Sequence, residues 1–179
     1  MIFSFFHWVQ STDFMSFIRE SGLTYPIIMS THLACIAVFG GMIVITDLRL
    51  LGAILQDRPI ADVINGLRWW KRLGFCIMVA MGIMLAGSKA TDYYPNPYFW
   101  TKMSLLALIL IHAIVFRPLV YNHPEKLDAS PIIPTRAKAA GALSLVLWTG
   151  VVCAGRLIGY YEPPSQKGHI VAVVTEPRP

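Results

Sequence analysis

Charged residues are scarce in this sequence of 179 amino acids: 14% are Asp, Glu, Lys or Arg, while 55% are hydrophobic. Average soluble domains carry about 25% charged residues, so the deficit excludes an ordinary water-soluble domain. The mean hydropathy of +0.56 agrees with that exclusion. So many hydrophobic residues also exclude an intrinsically disordered chain. The length is sufficient for one domain.

Cysteine and catalytic motifs are equally sparse. The three cysteines, Cys35, Cys76 and Cys153, lie within apolar stretches and show no CxxC spacing. This pattern predicts small buried hydrophobic residues rather than disulfides or a metal site. The sequence contains no Walker, GxSxG, HExxH, GxGxxG or CxxCH motif. No self-sufficient enzyme is therefore indicated, and a role as the non-catalytic subunit of an oxidoreductase complex stays open.

Four charge-free runs organise the chain. They span Ser21–Thr46, Leu73–Ser88, Met103–Phe116 and Ala139–Gly155. A membrane-spanning helix needs about 20 residues, so the three shorter runs must be extended by terminal Lys or Arg side chains that reach the membrane surface. None of the runs has a polar stripe at helical period, as a soluble bundle would require. The sequence predicts an all-α fold, a four-transmembrane-helix up-down bundle in contact with the lipid bilayer.

Two flanking segments complete the predicted organisation. Residues 1–22 form an N-terminal interfacial segment, residues 23–161 the transmembrane domain, and residues 162–179 an extended periplasmic C-terminal tail. Within the first segment, Thr12–Ser21 is predicted to be a short helix capped by Ser11 or Thr12. The alternative is that these residues are the first turns of the first spanning helix. A cleaved signal peptide is not expected, because Met1–Gln10 has no basic n-region.

The basic residues predict the orientation. The loops between runs one and two and between runs three and four carry nine Lys and Arg residues: Arg49, Arg58, Arg68, Lys71, Arg72, Arg117, Lys126, Arg136 and Lys138. Four others, Arg19, Lys89, Lys102 and Arg156, lie near the membrane on the opposite side. The positive-inside rule then places both termini in the periplasm. The basic pI of about 9.3 reflects topology, so no nucleic-acid partner is expected.

Two histidines lie deep within predicted spans, His32 in the first and His112 in the third. Ionisable residues in spans are candidate functional groups. Histidines facing one another across a four-helix core can hold a b-type haem, so His32 and His112 are the candidate iron ligands. Lys89 and Arg156 would then bind the haem propionates. The alternatives are that each histidine hydrogen-bonds a neighbouring helix and that both cations are membrane-surface anchors.

Several motifs carry a family resemblance. They are Thr31-His32-Leu33, the Asp47–Gly52 stretch DLRLLG, and Ala142–Leu145 followed by the GRLI-Y stretch of Gly155–Tyr160. Over about residues 25–161 the chain resembles an uncharacterised bacterial family of four-helix membrane proteins. In layout it is also similar to four-helix b-type cytochromes and copper-resistance membrane domains. The resemblance implies a multi-pass protein of the bacterial inner membrane without assigning a reaction.

These patterns favour a membrane electron-transfer subunit that binds haem b and links a periplasmic redox partner to the quinone pool. The alternative is a cofactor-free membrane anchor within a larger complex. An ion or solute conductor is disfavoured, because few polar residues lie within the spans. Residues 166–179 contain the β-branched run Ile170–Val174 between Pro-containing flanks. This segment is predicted to add a strand to a periplasmic or membrane partner subunit.

Overall fold

The computed structural model describes residues 1–129 and 132–161, and within these ranges the chain is helical without strands. The predicted tail and its partner-binding segment, residues 166–179, lie outside the described residues. In chain order the helices are α1 (Ile2–Gln10), α2 (Asp13–Glu20), α3 (Thr24–Leu51), α4 (Ile60–Ser88), α5 (Ala90–Tyr93), α6 (Pro97–Arg117), a π-helical segment (Pro118–Asn122), α7 (Glu125–Asp128) and α8 (Thr135–Ile158).

Four of these helices, α3, α4, α6 and α8, are long and apolar enough to cross a membrane. The predicted four-helix multi-pass architecture is therefore confirmed. The helices extend beyond the charge-free runs that predicted them, most clearly in α4. This helix begins at Ile60, whereas the run begins at Leu73. A charged residue ends an apolar run without ending a helix, and Lys71 and Arg72 both lie within α4.

The long helices pack in the order α4, α3, α8 and α6, with α3 and α8 at the centre. The backbones of the two central helices come close together at Gly141, where a Cβ atom would lie 2.9 Å from the carbonyl oxygen of Asp47. Only glycine allows this approach, because the neighbouring atom belongs to the backbone. Since α8 packs against both α3 and α6, the two histidine-bearing helices lie on opposite sides of it.

The up-down arrangement creates two faces. We call the end that holds α1, α2, α5 and the last turn of α8 the terminal face, and the end that holds the α3–α4 and α6–α8 connections the basic face. A hydrophobic cluster closes the basic face and consists of Leu50, Ile60, Ile64, Val120, Leu127, Ala137 and Ala140. Both connections are thereby fixed to the same end of the bundle.

The short predicted helix after residue 11 is confirmed as a helix separate from α3. Its expected cap is wrong: Ser11 and Thr12 donate their hydroxyl groups back to the carbonyls of Trp8 and Val9, at 2.9 Å in each case. Ile18 anchors α2, since it is 1% exposed and lies in a cluster with Ile28 and Leu85. Ile18 therefore packs on the protein, whereas Phe14 and Phe17 of the same helix are exposed.

The first ten residues form a helix that the sequence did not predict. At its end, the side-chain oxygen of Gln10 accepts hydrogen bonds from the backbone amide and hydroxyl of Thr91, both at 2.7 Å. Near its start, Phe3 and Phe6 make edge contacts with Tyr94. The N-terminal helices are thus attached to the α4–α6 connection and cover part of the terminal face.

Candidate ligand site within the membrane

His32 is the ninth residue of α3 and its half-buried imidazole faces α4. A Cβ atom at Gly82 would lie 3.2 Å from Cε1 of the ring, so the absence of a side chain there makes room for the imidazole. The Nδ1 atom is buried and has no hydrogen-bond partner among the described residues. The backbone of Met78, one turn before Gly82, also interacts with the ring, so the imidazole packs on the neighbouring helix α4.

Lys102 enters the same region from α6. Asn96 fixes the start of that helix, because its side-chain oxygen accepts hydrogen bonds from the amides of Tyr98 and Phe99, and Pro97 occupies the first helical position. Lys102 follows after about one and a half turns. Its Nζ lies 3.5 Å from the position that a Cβ of Gly155 would take in α8. The ammonium has no hydrogen bond or ion pair among the described residues.

His32 and Lys102 lie at similar depths along the bundle. Counted from the starts of their helices, His32 lies about 12 Å and Lys102 about 8 Å along the axis. Both therefore belong to the half of the bundle next to the terminal face. From the sequence, Lys102 was expected only to extend a short apolar run as a surface anchor. In the structure its side chain instead lies against Gly155 of α8. This contact could not be predicted from the sequence, because it depends on how α6 packs against α8.

His112 lies in the other half of the bundle. Its Nε2 atom makes a hydrogen bond of 3.0 Å with the Ala140 carbonyl of α8, and its ring lies 4.8 Å from the Phe116 ring. It is about 22 Å along α6, roughly 10 Å deeper than His32 is along α3. The structure therefore does not bring the two histidines together, and His112 makes the contact with a neighbouring helix that was the alternative interpretation.

The two expected propionate partners lie at the terminal face and contact tyrosines. The Lys89 ammonium lies 4.6 Å from the ring centre of Tyr25. The Arg156 guanidinium lies 4.9 Å from the ring centre of Tyr160 and donates a 2.7 Å hydrogen bond to its hydroxyl. Cation–π contacts of this kind are typical of membrane-surface anchors.

A second polar cluster, which sequence reasoning found only in part, lies near the basic face. Asp47 is 2% exposed, with Ser144 beside its carboxylate. Lys71 donates a 3.0 Å hydrogen bond to Thr46, and its ammonium lies 5.1 Å from the Tyr121 ring centre. Burial raises the pKa of Tyr121 to about 12, and the negative charge of Asp47 acts in the same direction.

Arg49 does not pair with Asp47, its neighbour in the DLRLLG stretch, among the ion pairs of the described residues. The Arg49 guanidinium instead donates two hydrogen bonds to the Arg58 carbonyl, at 3.1 and 2.7 Å. This contact fastens the end of α3 to the following loop. The role of Arg49 in the described structure is to shape the basic face.

The cysteines are free, as expected from the sequence, but only Cys35 is even partly buried. Cys76 and Cys153 are exposed on the surface of the helices, so their predicted burial is wrong. A surface that faces lipid can carry apolar side chains, which removes the need to bury these residues. Among residues 1–129 and 132–161 there is no group of three or more His, Cys, Asp or Glu side chains that could hold a metal ion.

The fold thus defines a four-helix, multi-pass membrane protein with a short helical N-terminal segment. The chain belongs to DUF6644, a family of unknown function whose sequence pattern matches residues 5–161. The match includes the N-terminal helices, whereas the resemblance inferred from the motifs began near residue 25. Neither the curated proteins nor the solved structures contain a significant match.

Proposed function

We propose that the protein is an electron-transfer subunit that binds a b-type haem, with His32 and His112 as iron ligands. It would pass electrons between a periplasmic redox partner and the quinone pool. The observation that carries the proposal is the buried Nδ1 atom of His32, which has no hydrogen-bond partner among the described residues. An imidazole nitrogen without a hydrogen bond can act as an iron ligand, and a bound haem would supply one-electron chemistry.

His112 requires a rearrangement for this role. Its Nε2 atom must leave the Ala140 carbonyl, and α6 must shift along α8 to reduce the axial offset of about 10 Å from His32. Lys89 and Arg156 are the proposed propionate partners. Both lie at the terminal face, in the same half of the bundle as His32, and each would exchange a tyrosine contact for a carboxylate.

The test is the visible spectrum of protein purified from cells supplied with a haem precursor. His32→Ala and His112→Ala should each abolish or shift the Soret band. His7→Ala and His123→Ala are matched controls, because both histidines are exposed and lie outside the long helices; their spectra should equal that of the wild type. A wild-type band that is unchanged in His32→Ala would disprove ligation by His32. If the band changes in His32→Ala but not in His112→Ala, only ligation by His112 is disproved.

A cofactor-free membrane anchor is the second candidate, and the hydrogen bond between His112 and Ala140 favours it. This hydrogen bond joins α6 to α8. Stabilising the contact between two helices would explain a histidine within the membrane without any cofactor. If this alternative is correct, the purified wild type will show no Soret band. His112→Ala will then lower the thermal stability in detergent while leaving His32→Ala comparatively stable.

We further propose that the chain resides in the bacterial inner membrane with both termini in the periplasm, where residues 166–179 bind a partner subunit. The support comes from the charge distribution and from the β-branched sequence of the tail. Deletion of Gln166–Pro179 should release a subunit that co-purifies with the full chain. Recovery of the same partners with the truncated chain would exclude this role of the tail.

A further inference from the structure

We infer that a cavity at the basic face binds a phosphate group, with Arg49 and Lys138 as the cations that hold it. The site lies at the opposite end of the bundle from His32 and does not depend on haem binding. It rests on three features of the structure: a cavity that both cations line, unused donors on a buried guanidinium, and an excess of positive charge.

The cavity has a volume of about 400 Å³, which is within the usual range for small-molecule sites. It is formed by the end of α3, the loop after it, the first residue of α4, α7 and the start of α8. Its lining includes Arg49, Gln56, Ile60, Leu127, Asp128 and Lys138. Because three spanning helices end or begin here, the cavity lies at the depth of the lipid headgroups.

The guanidinium of Arg49 is held in place and still has unused donors. Arg49 is 7% exposed, and its Nε and Nη2 atoms donate to the Arg58 carbonyl at 3.1 and 2.7 Å. Its Nη1 atom carries two further N–H donors, and these make no hydrogen bond with the described residues. A fixed guanidinium at the wall of a cavity is suited to an anion, because its planar fork matches phosphate geometry.

The charges that line the cavity favour an anionic ligand. Arg49 and Lys138 both line it, and neither takes part in an ion pair of the described residues. Asp128 also lines it, but its carboxylate already accepts hydrogen bonds from the amides of Ile60 and Ala61, at 2.7 and 2.9 Å. Two cations therefore share the cavity with one acid that is bound to the start of α4.

The arrangement favours phosphate over a carboxylate. A carboxylate has two oxygens, which a single guanidinium can bind, whereas a phosphate has further oxygens that can reach a second cation on another helix. Leu51, Leu127 and Ile133 add an apolar wall to the same cavity. Basic pockets between membrane helices bind the headgroups of anionic lipids. The phosphate can come from such a headgroup or from a soluble phosphate compound.

The first experimental arm compares phosphatidylglycerol with phosphatidylcholine, whose choline group offsets the phosphate charge. Full-length protein in detergent is titrated with each lipid, and bound lipid is counted by native mass spectrometry. Wild type should bind phosphatidylglycerol about tenfold more tightly. Lys138→Gln should lower that affinity about fivefold, and Lys138→Arg should retain it. Arg136→Gln is the matched control, since Arg136 is an exposed cation at the start of the same helix that does not line the cavity.

The second arm titrates the same variants with inorganic phosphate by calorimetry at constant ionic strength. Loss of the lipid preference in Lys138→Gln but not in Arg136→Gln would support the site and assign the phosphate to a lipid headgroup. Phosphate binding that only Lys138→Gln weakens, without a lipid preference, would assign it to a soluble compound.

Two results would overturn the site. An equal loss in Lys138→Gln and Arg136→Gln would show that the general charge of the basic face attracts the ligand. Unchanged binding in Lys138→Gln, or a wild type that binds neither phosphatidylglycerol selectively nor phosphate, would remove the role of the cavity. Lys138 is exposed, so its replacement should leave the thermal unfolding midpoint unchanged.

Discussion

Lys71 and Lys102 show how one residue type takes different roles inside the same bundle. Lys71 donates to Thr46 and faces the Tyr121 ring, in a cluster that also contains Asp47. Its ammonium thus has a hydrogen-bond acceptor and an aromatic ring beside it. Lys102 has no hydrogen bond or ion pair within the described part of the chain. The surroundings of each lysine, not the residue type, therefore decide which contacts its ammonium makes.

Glycine at position 141 sets the distance between the two central helices. Gly141→Ala should destabilise the protein by about 1–3 kcal/mol, because the added methyl group would meet the backbone oxygen of Asp47 at 2.9 Å. Gly40→Ala is the matched control: it is also within a spanning helix, but nothing lies within 4 Å of the added atom. The measurement is the thermal unfolding midpoint in detergent. Equal midpoints for the two variants would show that the α3–α8 approach tolerates a side chain.

At the scale of helices, the start of α4 depends on a residue distant in sequence. The Asp128 carboxylate in α7 accepts hydrogen bonds from the amides of Ile60 and Ala61, at 2.7 and 2.9 Å. These amides are the free donors that every helix leaves at its N-terminus. The α6–α8 connection, which contains Asp128, thus caps the first turn of α4.

Replacement of this cap should weaken the fold. Asp128→Ala should lower the free energy of unfolding by about 0.5–2 kcal/mol, the usual range for the loss of an N-terminal cap. Asp57→Ala serves as the control, since Asp57 is an exposed acid in the neighbouring loop. Hydrogen exchange of the first turn of α4 should increase in Asp128→Ala alone. Unchanged exchange and stability in that variant would show that the two hydrogen bonds contribute little.

The sequence predicted the number and type of the spanning helices, because apolar runs bounded by charge follow from the cost of placing charge in lipid. It did not predict their lengths, since charged residues such as Lys71 and Arg72 end an apolar run but are compatible with a helix. His32 was recognisable as an isolated ionisable residue in a span. Lys102 was not, because its direction depends on the packing of α6 against α8.

At the scale of the whole molecule, the unequal distribution of Lys and Arg predicts the orientation. Alkaline phosphatase, which is active in the periplasm, should be active when fused after Pro179 and inactive when fused after Arg58. A green fluorescent protein fused at the same two positions should give the opposite pattern. The physical reason is the retention of short, positively charged loops on the cytoplasmic side. Phosphatase activity at Arg58 without activity at Pro179 would reverse the proposed orientation.

The proposed function requires a bound haem. The haem content of the purified protein is therefore its most direct test. The full-length chain is purified from cells supplied with a haem precursor and assayed as its pyridine haemochrome. We expect about one b-type haem per chain, and a large loss of haem in His32→Ala. A folded, purified wild-type protein that contains no haem under these conditions would disprove haem binding and favour the cofactor-free anchor.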